Sequence, residues 1–332
     1  MSVRFTKTML LYILLIVQVI QITYYLHSNL LYSTNIQCTP EHPTAVHNIS
    51  DETEAPFMLG NSSLWSGLRS HIKKKYSGLQ LPWSSPTVFV VTPTYRRPTQ
   101  MADLTRLSQT LMNLDFIFWL VVEDGETTQL PVAQLLQRSG LPHRYMAAAT
   151  PARYRNDPDV GRGVFNRRAA LDWLRAHEKR GVLYFADDDN SYDIRLFQQI
   201  RSTQKVSVFP VGMILEYGIS SPIVRQHKVV GFHDAFQALR KFAVDMAGFA
   251  VNLEFLYRKP NATIPLLVSY LEDGFLRALG TSLDDLEPLA HDCTEVLVWH
   301  TRTQTPFSPN VAHLPPHSND TNLPALYANI LA

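Results

Sequence analysis

A chain of 332 residues, 45% hydrophobic and 18% charged, can bury a substantial core and is too apolar to be disordered throughout. Thirty Lys and Arg stand against 29 Asp and Glu, a formal charge of +1, which excludes a general nucleic-acid binder and makes any anion site local. Two cysteines, Cys38 and Cys293, exclude a disulfide framework.

Met9–Leu26 is an 18-residue stretch without a formal charge, long enough at ~1.5 Å per residue to cross a thin bilayer. Arg4 and Lys7 precede it and no Lys or Arg follows until Arg69, so residues 1–8 are expected in the cytoplasm and the rest across the membrane. A cleaved signal peptide is the alternative, less favoured because the apolar stretch is long and no small-x-small site follows. A short span suits the Golgi or endoplasmic reticulum better than the plasma membrane. Residues 27–84, rich in Ser, Asn, Thr, Pro and His without periodicity, read as a stem. With this topology Asn48, Asn61, Asn261 and Asn319, each opening an Asn-x-Ser/Thr triplet, are glycosylation candidates. Cys38 is placed to cross-link two stems or to remain a free thiol.

From Pro86 strands and helices alternate. Thr87–Thr92 and Phe116–Val122 read as buried strands, Gln100–Met112 as a helix with Met101, Leu104, Leu107, Leu111 and Met112 on one face. Pro131–Ser139 and Tyr145–Ala148 repeat the pair, and Val164–Arg180 is a long helix feeding a strand at Gly181. Such βαβ units imply an α/β fold with a mainly parallel sheet. Past Ile200 the strands shorten (Val206–Val211, Val229–Phe232, Met246–Val251, Val296–His300) around one helix at Pro265–Leu279, so the second half reads as mixed. Thr303–Ala332 reads as an extended tail.

Gly181–Asn190, GVLYFADDDN, ends an apolar run in three carboxylates. Asp187, Asp188 and Asp189 therefore sit at a strand exit, where ligands bind in open α/β sheets and where adjacent acids need a compensating cation or donors. Hard oxygen ligands without Cys or His favour Mg²⁺ or Mn²⁺, completed by substrate phosphates; an acidic surface turn is the plain alternative. The first strand exits in Pro93-Thr94-Tyr95-Arg96 and the second in Glu123-Asp124-Gly125, at the same edge if the sheet is parallel. An aromatic, a lone acid and a metal site suit a nucleoside diphosphate: Tyr95 to stack on a base, Asp124 to accept from a base or ribose. Arg162 and Arg167, at the start of the long helix, are placed to clamp phosphate or a sugar carboxylate.

These residues carry a resemblance. PTVFVVTPTYRR, LTRLSQTL, WLVVEDG, RGVFNRRAALDWL, GVLYFADDDN, VVGFH, VDMAGFAVN, DLEP and VLVWHTRT, spread over about residues 86–305, resemble the animal β1,3-glucuronyltransferases of glycosyltransferase family 43. The resemblance implies a GT-A-like fold, a Golgi anchor, homodimers, UDP-glucuronate as donor and Mn²⁺ as cofactor. It divides the chain into a catalytic domain at 85–305, with a nucleotide-sugar half at 85–200 and an acceptor half at 201–305, and a tail at 306–332. By motif it implies that Asp189 binds the metal, that Asp187, Asp188, Tyr95 and Asp124 hold the uridine and ribose, that Pro93 and Thr94 bind the UDP-glucuronate, and that Arg162, Arg167, His300 and Arg302 hold the diphosphate and glucuronate.

In PLLVSYLEDGFLRALG, helical spacing puts Glu272 with Val268, Phe275 and Leu276, and Asp273 with Ser269 and Arg277. An acid on an apolar face has a raised pKa suited to a general base, and the resemblance places the catalytic Glu at Glu272. Val296, Val298, His300 and Arg302 alternate to one side of a strand, aiming both basic groups together. The expected chemistry is inverting transfer of glucuronate to a galactose-terminated glycan. Arg240, Asp245 and Phe236 match acceptor-side positions, whereas Ser220 stands where the family has a Glu, leaving the acceptor open between the galactosyl-galactosyl-xylose linker of proteoglycans and N-acetyllactosamine. An inactive membrane-tethered lectin and a metal-dependent phosphohydrolase are the rivals from other classes.

Overall fold

The computed structural model of the chain describes residues 86–237, 239–304, 318 and 320–330. Met9–Leu26, the stem, Cys38, Asn48, Asn61 and Asn319 lie outside the described residues. Among the described residues no helix is long and apolar enough to cross a membrane.

Twelve strands, β1 (Val88–Thr94), β2 (Ile117–Glu123), β3 (His143–Ala147), β4 (Val182–Phe185), β5 (Ser191–Tyr192), β6 (Val206–Val208), β7 (Val211–Gly212), β8 (Ile219–Arg225), β9 (Lys228–His233), β10 (Phe249–Asn252), β11 (Leu286–Pro288) and β12 (Val298–Trp299), form two sheets among the described residues. The larger runs β11-β6-β10-β4-β1-β2-β3 and the smaller β5-β12-β7-β8-β9. In the larger, β4, β1, β2 and β3 are parallel, and β10 enters antiparallel between β4 and β6. That is the expected α/β architecture, a parallel first half joined to a mixed second half.

Period-two alternation sorts the strand side chains to two faces. Phe89, Val91, Leu120, Val122, Leu183 and Phe185 pack with Leu171 and Leu174 of helix Val164–His177 and Phe275 of helix Leu271–Ala278. Val88, Val90, Trp119, Val121, Val182 and Tyr184 pack with Leu104 and Leu107 of helix Gln100–Leu111, Leu135 of helix Leu130–Ser139 and Phe197 of helix Ile194–Ile200. Both faces of β1, β2 and β4 are thus covered, which is why their sequences are near-continuous apolar runs.

Several sequence expectations need correction, among them the strand expected at Met246–Val251, whose first three residues form a 3₁₀ turn. The helix expected at Pro265–Leu279 begins only at Leu271, because the preceding backbone bonds elsewhere: Gly161 N donates to Leu266 O and Val268 N to Asp159 O, both at 2.8 Å, and Ser269 takes φ +67. Val206–Val211 is not one strand. Pro210 has no N–H to give, and the chain there leaves the large sheet (β6) for the small one (β7). His300 lies just past β12 rather than within it. The tail expected to be extended contains a helix, Leu323–Ile330, with Pro324 in its first turn. Asn261 is exposed in the turn after helix Leu253–Tyr257, and Cys293 is half-buried, its thiol pushed up to about 12 by burial.

Candidate active site

The exits of β1, β2 and β4 meet as the parallel order requires. Thr94 pairs with Glu123 in register, Asp124 N donates to Thr94 O at 2.7 Å, and Thr94 Oγ1 donates to Asp188 Oδ2 at 2.7 Å. The three aspartates, indistinguishable as letters, have separate partners. Asp187 pairs with Arg167. Asp188, 6% exposed, takes Arg97 Nη2 at 2.7 Å as well as Thr94; burial pushes its carboxyl up and these donors pull it back. The Asp189 carboxylate has no hydrogen-bond partner among the described residues, and burial beside Asp188 and Asp187 raises it to about 6. The triplet's backbone is pinned from the small sheet, Tyr192 Oη donating to Asp187 O at 2.9 Å and Thr301 Oγ1 to Asp189 O at 2.5 Å.

A single unpartnered carboxylate destabilised by its acidic neighbours fits a divalent cation, which would relieve that repulsion. No group of three or more His, Cys, Asp or Glu converges among the described residues, so a cation there would find Asp189 with at most one neighbouring acid, and other oxygens would have to complete its shell.

Around this point lie the other residues that the sequence reading assigned to the nucleotide, and they differ in exposure. Tyr95 is exposed with the Arg97 guanidinium 4.7 Å above its ring. Asp124, half-buried, is fixed by Thr150, whose N and Oγ1 donate to its two carboxylate oxygens at 2.6 and 2.8 Å. Arg162 is exposed, whereas Arg167 is 5% exposed and committed to Asp187 and to Arg162 O at 3.0 Å. The chain needs Gly163 here at φ +69: a Cβ would lie 2.8 Å from the Arg167 guanidinium and 3.2 Å from Pro93 Cβ.

On the other side, His300 Nδ1 donates to Asp245 Oδ2 at 3.1 Å. That hydrogen bond, outweighing burial and helped by Asp187 and Asp189, raises the imidazole to about 9, so it is a cation at neutral pH. Asp245 also caps the 3₁₀ turn Met246–Gly248 through Ala247 N at 2.9 Å, which fixes its carboxylate. Arg302 is exposed nearby in sequence, past the Thr301 contact. Arg240 Nη2 donates to buried Asp234 at 2.8 Å, and its guanidinium lies 5.0 Å from the ring of exposed Phe236. Ser220 is 2% exposed in β8, in register with Val211.

Glu272 links the two sides. Burial raises its carboxyl to about 7, Asp245 pushes the same way, and Arg167 and Arg240 oppose it. Asp273, expected on the polar face, is instead 3% exposed: it accepts from Phe242 N at 2.8 Å and pairs with Arg277 at 2.7 Å. With the helix starting at Leu271, its first-turn acids face different neighbours from those a longer helix would present.

Several supporting residues escape the sequence reading: Arg97, which bridges Asp188 and fully buried Asp103; Thr303, donating to Asp103 at 2.6 Å; buried Glu123, held by Gln100 and Tyr145; and Thr150 and Asp234. Arg97 lies in the quoted PTYRR, but nothing in that string says which arginine turns inward.

The family model described as glycosyltransferase family 43 matches residues 107–304. The chain belongs to glycosyltransferase family 43. It is 49% identical over 221 residues to galactosylgalactosylxylosylprotein 3-beta-glucuronosyltransferase S of Drosophila melanogaster, covering 66% of this chain and 54% of that one. To galactosylgalactosylxylosylprotein 3-beta-glucuronosyltransferase 2 of Homo sapiens it is 42% identical over 244 residues, 71% of this chain and 74% of that one. The match spans about half the length of the two Drosophila relatives, 54% and 46%. Among solved structures, S. aureus TarS 1-349 in complex with UDP superposes with a TM-score of 0.42 at 16% identity, over 65% of this chain and 61% of that one, a likeness too slight to bear on the family 43 chain.

Proposed function

We propose that this family 43 protein transfers glucuronate from UDP-glucuronate, with inversion, in β1,3 linkage to the terminal galactose of a glycan, foremost the galactosyl-galactosyl-xylose linker of proteoglycans. The observation that carries the reading is Glu272, whose carboxyl burial pushes up to about 7, with Asp245 on one hand and Arg167 and Arg240 on the other close enough to act on it. A binding module has no use for such a base. Glu272 takes the proton of the galactose 3-hydroxyl, whose oxygen attacks the anomeric carbon from the face opposite UDP. Protonated His300, with Arg302 and Arg162, offsets the charge left on the diphosphate. Asp124 and Tyr95 hold the ribose and base. Mn²⁺ held by Asp189 would supply further charge neutralisation at the diphosphate. Product analysis with UDP-glucuronate and a panel of galactose-terminated acceptors tests the reading; no glucuronylated product from any of them would overturn it.

The pH dependence follows from the sign of the shift. Glu272 acts only when deprotonated and its carboxyl titrates at about 7, so kcat/KM should climb as pH rises through that value. Asp245→Asn removes a negative neighbour, lowers the Glu272 pKa and should move this acid limb to lower pH. A flat profile between about pH 6 and 8 for the wild type counts against the assignment.

The reading extends to a type II protein of the Golgi membrane with a lumenal catalytic domain, supported by Arg4 and Lys7 ahead of the uncharged Met9–Leu26, and to a homodimer with Cys38 available between stems. A C-terminal tag should resist protease in intact microsomes; digestion without detergent would disprove the topology.

A further inference from the structure

His300 and Arg302 lie past the end of β12, where the sheet no longer holds the chain. Among the described residues His300 N donates to Gly212 O and Thr301 N to Trp299 O, each at 2.9 Å, and no backbone hydrogen bond holds Arg302 or Thr303. The Arg302 side chain is exposed and has no hydrogen-bond or ionic partner among the described residues. A guanidinium on a long flexible stem is aimed by the backbone beneath it, so whatever fixes residues 301–303 fixes Arg302.

Two hydroxyls do this, one on each side of Arg302. Thr301 Oγ1 donates to Asp189 O, and Thr303 Oγ1 donates to Asp103 Oδ1 at 2.6 Å while accepting from Arg106 Nη2 at 2.6 Å. Asp103 is a rigid anchor. It is 0% exposed in the first turn of helix Gln100–Leu111, and its carboxylate also accepts from Arg106 Nη2 and, at 2.8 Å, from Arg97 Nη2. A buried carboxylate answered by three donors is not free to turn. Arg97 Nη2 continues to Asp188 Oδ1 at 2.7 Å, so one buried acid holds both the strip that carries Arg302 and the arginine that fixes an aspartate of the triplet. With Arg302 and Gln304 exposed and no apolar side chain between Thr301 and Gln304, the strip adds little to the core, and its hydrogen bonds serve placement instead.

We infer that Thr303, clamped by Asp103 and Arg106, is the positioning residue for Arg302 and sets its guanidinium against the diphosphate in a fixed relation to Asp188. This rests on the functional reading above and specifies it. Thr303 touches no substrate and acts through Arg302, so loosening it costs most where negative charge grows on the departing UDP. The hydroxyl is the whole of its contribution: one donor spent on Asp103, one lone pair on Arg106.

The test is a double-mutant cycle read in transfer rates, with thermal unfolding of every variant. Thr303→Val keeps the shape and removes both hydrogen bonds; kcat should fall about 10- to 100-fold, the scale of an ångström-sized misplacement, with the acceptor KM within about threefold. Thr303→Ser keeps the hydroxyl and should hold kcat within about threefold of wild type. In an Arg302→Ala background Thr303→Val should cost less than about twofold more, because the group it positions is gone. Arg106→Gln, at a side chain 57% exposed, loosens the same clamp from outside and should show a smaller loss that Arg302→Ala likewise erases, which carries the test if Thr303→Val fails to fold. Equal losses in both backgrounds, or no loss in the variants that fold, overturn the positioning role alone. Full turnover in Arg302→Ala removes Arg302 from the diphosphate and the inference with it. Absence of transfer by the wild type overturns the functional reading itself.

Discussion

Glu272→Gln is expected to lower turnover by a factor on the order of 10² to 10⁴, the usual worth of a positioned general base, while UDP and acceptor affinities stay within about threefold of wild type. The substitution keeps the size of the side chain and a carbonyl acceptor but removes the basic lone pair that takes the hydroxyl proton. Because burial already holds the carboxyl near 7, the neutral amide costs nothing in desolvation, and the fold should be untouched or slightly more stable. The neighbouring acid supplies the contrast. Asp273→Ala leaves the buried Phe242 N–H unpaired and frees Arg277, a loss of about 1–3 kcal/mol of stability with turnover per folded molecule retained. Initial rates, equilibrium binding and thermal unfolding of both variants decide it: near-normal turnover in Glu272→Gln, or the deeper catalytic lesion in Asp273→Ala, removes the base and the inverting mechanism built on it.

The contrast also shows where sequence reading stops. Strands β1, β2 and β4 are legible to within two residues because both faces are buried, so their apolar runs are unbroken and end at once in polar exits. The acids at those exits were readable as one site for the same reason. What a string of letters lacks is partner choice: Asp187, Asp188 and Asp189 differ only in that Arg167, the Arg97–Thr94 pair and no described side chain respectively answer them. The facing read for Asp273 was wrong, and Val268 lies outside the helix that was to share its face with Glu272, since the loop 159–161 takes the backbone bonds that a longer helix would have needed. Strand β9 was read as Val229–Phe232, but its partner β8 went unread because Pro222 argues against a strand, and the turn between them, Gln226–His227 at φ +51 and +62, carries neither Gly nor Asn to mark it.

Asp189→Ala is expected to reduce transfer by more than about 10²-fold without costing stability. The argument for intact folding is electrostatic. The carboxylate has no hydrogen-bond partner among the described residues, and Asp188 and Asp187 push its pKa up to about 6, so the folded state carries repulsion that the substitution removes. The sign follows: a carboxyl whose pKa is raised on folding opposes folding once it ionises, so at neutral pH and without metal the variant should unfold no earlier than wild type. Added Mn²⁺ should raise the unfolding temperature of the wild type, as any ligand binding only the folded state does, and this shift should vanish in Asp189→Ala. Thermal unfolding with and without Mn²⁺, followed in parallel with transfer rates, separates the cases. An equal Mn²⁺ shift in both proteins, or full wild-type transfer in excess chelator, would show that Asp189 does not hold a required cation.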